Sequence, residues 1–197
     1  MSGLKSGSAA SDTELFLEFT KGDTAAFNKI VNRYQGRLLN FVYRFTGDRE
    51  TAQDIVQETF LRVYRKREQY CSTANLSTWI FTIAGNLAKS ELRHRKRWHL
   101  VSIGKEGRQD VAEKIADQSL GPNQIAEKKA IERNIQEAIE SLPPKYREAV
   151  ILRDIEAMPY EQIAQIVGCP VGTAKSRVNR GRLQLQKKLE QIIDQIR

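Results

Sequence analysis

Two cysteines, two histidines and five prolines are all that 197 residues hold of these types, and each scarcity excludes something. Cys71 and Cys169 lie far apart in the chain. Two thiols make no disulfide framework, which points to a reducing, cytoplasmic compartment. His94 and His99 share one basic stretch, with neither cysteine near them in sequence, so no metal-ligand spacing and no nucleophile–base arrangement emerges. Neither a metal, nor a cofactor, nor a catalytic residue is expected. No apolar run approaches the roughly 20 residues that span a bilayer, so no membrane insertion is expected. Met1 to Ala10 lacks the apolar core of a signal peptide and reads as a disordered Gly/Ser/Lys tail. Strand signals are nearly absent, and no repeat of solenoid-like period appears.

What is present is positive charge and well-punctuated helices. Thirty-two Lys and Arg against 24 Asp and Glu leave a net charge of +8 and a pI near 9.6. That balance favours polyanions, nucleic acid first, although charge alone also fits a membrane surface. Ser11-Asp-Thr-Glu14 is a capping-box pattern ahead of Leu15, Phe16 and Phe19, with Gly22 closing that helix. Asp23 can cap a second helix striped by Phe27, Ile30, Tyr34, Leu38, Phe41 and Phe45, which ends near Gly47. Asp48 can start a third, and a fourth begins after Asn75 with Leu76, Trp79, Ile80, Ile83 and Leu87 inside. Residues 11–98 therefore read as one helical domain, 99–124 as a linker containing Gly104, Gly107 and Gly121-Pro122, and 125–197 as a second domain. In the second, Ile125 to Leu142 reads as one helix and Tyr146 to Ile155 as another. The expected fold is all-α: two small helical domains on a flexible linker.

The stretch Met158 to Arg182 is the most specific in the chain. Pro159 suits a first helical turn, Ile163, Ala164 and Val167 follow at helical spacing, and Gly168 with Pro170 stops one helix and sets up the next. Two helices joined so tightly make a helix-turn-helix, whose second helix can enter the major groove of duplex DNA. Ala174, Val178, Gly181, Leu185 and Leu189 form that helix's inner stripe, and Lys175, Ser176, Asn179 and Arg180 its outer face. Lys175, Arg177, Arg180, Arg182, Lys187 and Lys188 meet no acidic residue in this span. A merely solvated basic helix is the bland alternative.

The first domain has its own signature. The fourth helix runs into Lys89-Ser-Glu-Leu-Arg-His-Arg-Lys-Arg97, with Asn86, Lys89, Arg93 and Lys96 on one face. Tyr70 and a polar loop to Asn75 precede it. A ring, an amide and a cationic face are what an unstacked single strand requires, unless Tyr70 simply packs in the core. The third helix instead exposes Asp54, Gln57, Glu58, Leu61 and Arg65, a face that suits a protein partner with Leu61 as its apolar anchor.

The strings Gly47 to Tyr64, Ser77 to Lys89 and Leu142 to Ala149, running on into the helix-turn-helix, resemble the extracytoplasmic-function (group IV) sigma factors of bacterial RNA polymerase. The resemblance implies that core RNA polymerase, through its β′ clamp helices and β subunit, binds Asp54, Gln57, Glu58, Leu61 and Arg62. It implies that Tyr70, Asn75, Asn86, Lys89, Arg93 and Lys96 open and hold the −10 element of promoter DNA. Thr173, Lys175, Ser176, Arg177, Asn179 and Arg180 would read the −35 element as duplex, and an anti-sigma factor is an expected partner. Several relatives carry an aromatic at the position of Asn179 and Arg at that of Lys175, so no relative's −35 preference transfers to this chain. A stand-alone helix-turn-helix regulator would instead need a sensing pocket in the first domain.

Overall fold

The computed structural model describes residues 10–70, 75–101 and 122–196. The polar loop Cys71 to Ala74, most of the expected N-terminal tail and the central part of the expected linker lie outside the described residues. The elements are α1 (Asp12–Thr20), α2 (Thr24–Thr46), α3 (Arg49–Arg65), α4 (Leu76–Val101), α5 (Pro122–Ser141), α6 (Pro144–Val150), α7 (Tyr160–Val167) and α8 (Val171–Ile196), with no strand among the described residues. The all-α expectation holds.

Local chemistry sets the boundaries. Ser11 and Glu14 form the reciprocal capping box at α1, and the Asp23 carboxylate accepts from Ala25 and Ala26 at the start of α2. Gly47 ends α2 in the left-handed region at φ 75°, and Asp48 then caps α3 by accepting from the Thr51 N–H. The sequence reading places Pro122, Pro143 and Pro144 outside helices; Pro143 stays outside, and the other two prove to begin helices. α5 starts at Pro122 and α6 at Pro144, because a first-turn N–H has no intrahelical partner and proline lacks nothing there. Conversely, Pro159 stands just before α7 in extended conformation. The helix read over Tyr146 to Ile155 ends as a π-type turn over Ile151–Ile155, followed by Ala157 at a positive φ of 54°.

The first domain packs α1 to α4 around Phe16, Phe19, Ile30, Tyr34, Leu38, Phe41, Phe45, Ile80 and Phe81. The second buries Ile139, Leu142, Ile151, Leu152, Ile163, Ala174 and Val178. The two are not separate beads. One apolar cluster runs from Leu15 through Phe81 and Ala88 to Ile151, Met158 and Ile163, and α7 lies on α4. Polar groups from the second domain also finish α2. Arg147 Nη1 donates to the Phe45 carbonyl at 2.7 Å, and Gln136 Nε2 donates to the Arg44 carbonyl at 3.3 Å. A helix end leaves its last carbonyls unpaired; here a neighbouring domain satisfies two of them, a contact between distant segments that no local sequence pattern announces.

Candidate nucleic-acid interface

Tight turn geometry aims the outer face of α8. Gly168 closes α7 at φ 64°, and the Ala174 N–H reaches the Pro170 carbonyl at 3.0 Å to begin α8. Ala174, Val178 and Gly181 are buried, and Lys175, Ser176, Asn179 and Arg180 are exposed together, as the sequence reading places them. At Gly181 the helix passes close against α6. A methyl group there would meet a Val150 methyl and come within 3.3 Å of the Tyr146 carbonyl.

Neighbouring rings steady two of these cations. The Tyr160 ring lies 5.6 Å from Lys175 Nζ and 4.7 Å from the Arg153 guanidinium. Arg180 hydrogen-bonds the Tyr146 hydroxyl and, with Lys145 beside it, holds that phenol below its ordinary value. The sequence reading missed Tyr146, Tyr160 and Arg153, because their relation to α8 exists only once the helices are folded together. Two of the six cations of this span are committed elsewhere. Arg182 grips Asp154 with two hydrogen bonds, and Arg177 is half-buried with its charge toward Glu148. Thr173 is half-buried, and its carbonyl accepts from the Ser176 hydroxyl at 2.9 Å.

On α4, Asn86, Arg93 and Lys96 lie exposed on one line. Lys89, read as their companion, is half-buried, with its ammonium 3.0 Å from Glu148 Oε1. Asn75 accepts from the Ser77 N–H at 3.0 Å and so caps α4. The Tyr70 ring packs 4.4 Å from Phe16 and 5.2 Å from Trp79, half-buried. This is the packing alternative that the sequence reading left open. At the far end of α4, Trp98 stands 61% exposed and donates from its indole to His94 Nε2 at 2.8 Å.

The α3 face is assembled as read. Asp54, Gln57, Leu61 and Arg62 are exposed, Glu58 is half-exposed, and Arg62 Nε holds the Glu58 carboxylate at 2.7 Å. Leu61, on the same helix, is an exposed apolar side chain at 49%. Among the described residues no group of His, Cys, Asp and Glu is arranged to hold a metal, and no helix is long and apolar enough to cross a membrane.

Residues 30–98 match the sigma-70 region 2 family, and residues 132–185 match sigma-70 region 4. The chain is 32% identical over 192 residues to the RNA polymerase sigma-H factor of Pseudomonas aeruginosa, covering 92% of this chain and 95% of that one. It is 34% identical to the ECF RNA polymerase sigma factor SigW of Bacillus subtilis, over 87% and 93% of the two chains. A solved structure of the sigma factor RpoE from Bartonella quintana, in complex with the anti-sigma factor NepR, superposes with a TM-score of 0.67 at 30% identity, covering 83% of this chain and 96% of that one. Two helical domains in this order, with a helix-turn-helix in the second, place the chain in the extracytoplasmic-function sigma factor family, whose function is promoter-specific initiation of transcription by RNA polymerase.

Proposed function

We propose that this sigma factor reads its promoter with two separate faces and holds the polymerase with a third. Lys175, Ser176, Asn179 and Arg180 on α8 meet the −35 duplex in the major groove. Asn86, Lys89, Arg93 and Lys96 on α4 track the strand of the opened −10 element, with Asn75 and Tyr70 shaping the loop that enters it. Asp54, Gln57, Glu58, Leu61 and Arg62 on α3 bind core polymerase. The chain does no catalysis of its own and works in the cytoplasm. An anti-sigma factor is its proposed protein regulator, since the RpoE to which it is similar was solved with one.

The observation that carries this reading is the sorting of α8 into a buried Ala174/Val178/Gly181 side and an exposed cationic side, behind a turn closed by Gly168. A bidentate base contact of the kind Arg180 can make is worth about 1–3 kcal/mol. Lys175→Ala with Arg180→Ala should therefore lower run-off transcription from a −35-dependent promoter ~10-fold or more, while co-elution with core polymerase persists. Asp54→Ala with Leu61→Ala should invert that result, losing co-elution with helicity unchanged. Full transcription by the first variant, or full core binding by the second, would remove the corresponding assignment.

A further inference from the structure

The outer face of α8 has a centre and two flanks, and the centre holds a side chain that no promoter contact proposed above uses. Lys175 leans toward the Tyr160 ring of α7, 5.6 Å away, and Arg180 toward the Tyr146 hydroxyl of α6. At about 100° per residue these two cations stand roughly 140° apart around the helix. Between them runs a ridge of Ser176, Asn179, Leu183 and Gln186, exposed throughout. Leu183 is 61% exposed and lies about two and a half turns beyond the buried Ala174, so it points straight away from the core. Its neighbours on the helix surface are Asn179, Arg180, Gln186 and Lys187, all exposed and none acidic. Gln186 turns along the helix to Glu190 Oε1 at 2.9 Å, and that carboxylate, the first in α8, ends the cationic surface.

We propose that Leu183 is a specificity-determining residue for the −35 element, taking the methyl group of a thymine about two base pairs from the pair that Asn179 reads. The inference rests on the assignment of α8 to the −35 duplex. Single exposed leucines are ordinary, but this one is centred on a polar, cationic ridge that suits a polyanion. Major-groove base edges present donors, acceptors and one apolar group, the C5-methyl of thymine. An aliphatic side chain inserted there has that single partner. Asn179, one turn back, has the amide that pairs with adenine N6 and N7. Residues rise about 1.5 Å each along a helix, so Leu183 stands roughly 6 Å beyond Asn179, close to two base pairs at about 3.4 Å each. Lys175 and Arg180 then face the two walls of the groove while the ridge between them meets its floor.

The test selects sites from a randomised duplex library with core polymerase carrying the full chain, either wild type or Leu183→Ala. Each thymine in the −35 segment of the recovered site is then replaced in turn by deoxyuridine, which removes only the methyl group. Alanine is a good helix former, so helicity should not change. Wild type should recover a thymine about two pairs from an adenine, and deoxyuridine there should weaken binding ~3-fold or more, as loss of one buried methyl does. Leu183→Ala should lose the preference at that position alone and bind the thymine and deoxyuridine duplexes equally, whereas Leu183→Met, of similar volume, should keep it. Wild-type binding indifferent to deoxyuridine at every position, or an unchanged site recovered by Leu183→Ala, would overturn the inference. Loss of co-elution with core polymerase by Leu183→Ala would overturn it too, by assigning the side chain to a protein contact. Lys175→Ala with Arg180→Ala, run in parallel, separates the levels. A site lost by that variant but kept by Leu183→Ala sinks this inference alone, and a wild type that recovers no −35 sequence sinks the reading of α8 with it.

Discussion

Single side chains in this protein often hold two elements at once, and Asp48 illustrates the cost of losing one. Its carboxylate accepts from the Thr51 N–H at 2.7 Å to cap α3, and it lies 3.4 Å from Arg95 Nη2 of α4. Asp48→Ala should therefore destabilise the first domain by about 1 kcal/mol, read as a lower urea midpoint with an unchanged slope. Partial burial pushes this carboxyl upward, but the bonds from Thr51 and the nearby Arg95 outweigh it and leave it below its ordinary 3.8. A depressed carboxylate stabilises the fold above its unfolded value and loses that contribution as the pH falls through the folded one. The Asp48 contribution is thus intact at neutral pH and disappears in acid below about pH 4. Caps such as Ser11, Asp23 and Asp48 were legible in the sequence because both partners lie within three residues. Tyr70 was not. An aromatic beside a polar loop suits a base or a core equally well, and only the arrival of Phe16 from α1 and Trp79 from α4 decides where its ring rests.

Elements were legible where periodicity and punctuation agree, which covers α1 to α4, α7 and α8. The segment between α6 and α7 was not, since nothing in Ile151-Leu-Arg-Asp-Ile155 distinguishes a continuing α-helix from a π-type turn. Just beyond that turn stands Ala157, whose φ of 54° is one an L-residue adopts only with strain. Gly168 occupies the same region at φ 64° with nothing within 4 Å of a notional methyl, so its requirement is for backbone freedom rather than space. The two positions should respond oppositely. Gly168→Ala should cost about 1 kcal/mol and loosen the turn that aims α8, and Ala157→Gly should gain roughly 0.5 kcal/mol. Thermal unfolding of the full chain, compared at the wild-type midpoint, would separate them.

At the scale of the whole molecule, the sequence showed two domains and the sign of each surface, but not that the domains embrace. Their contacts join residues some 50 to 120 positions apart, such as Lys89 with Glu148 and Arg37 with Glu156, and no periodicity encodes such a meeting. The contact between the domains has a defined pH response. Burial raises both carboxyls above the ordinary range; Lys89 and Arg177 oppose this at Glu148, and Arg37 and Asn40 at Glu156. A group whose value is raised where the domains meet takes up protons as they pack, so its linkage favours that packing as the pH falls toward that value. Scattering from wild type should therefore show a more compact chain near pH 5 than at pH 8, so long as the first domain keeps its helicity.

The carboxyl end of α2 has a consequence for how the hold of one half on the other could be watched. Its last carbonyls are answered by Arg147 and Gln136 from the other half of the molecule, so the final turn is spliced only while the halves are together. That turn is a built-in gauge. The amides of Tyr43 to Gly47 should trade hydrogen for deuterium slowly while the halves stay packed and faster in any variant that loosens that contact.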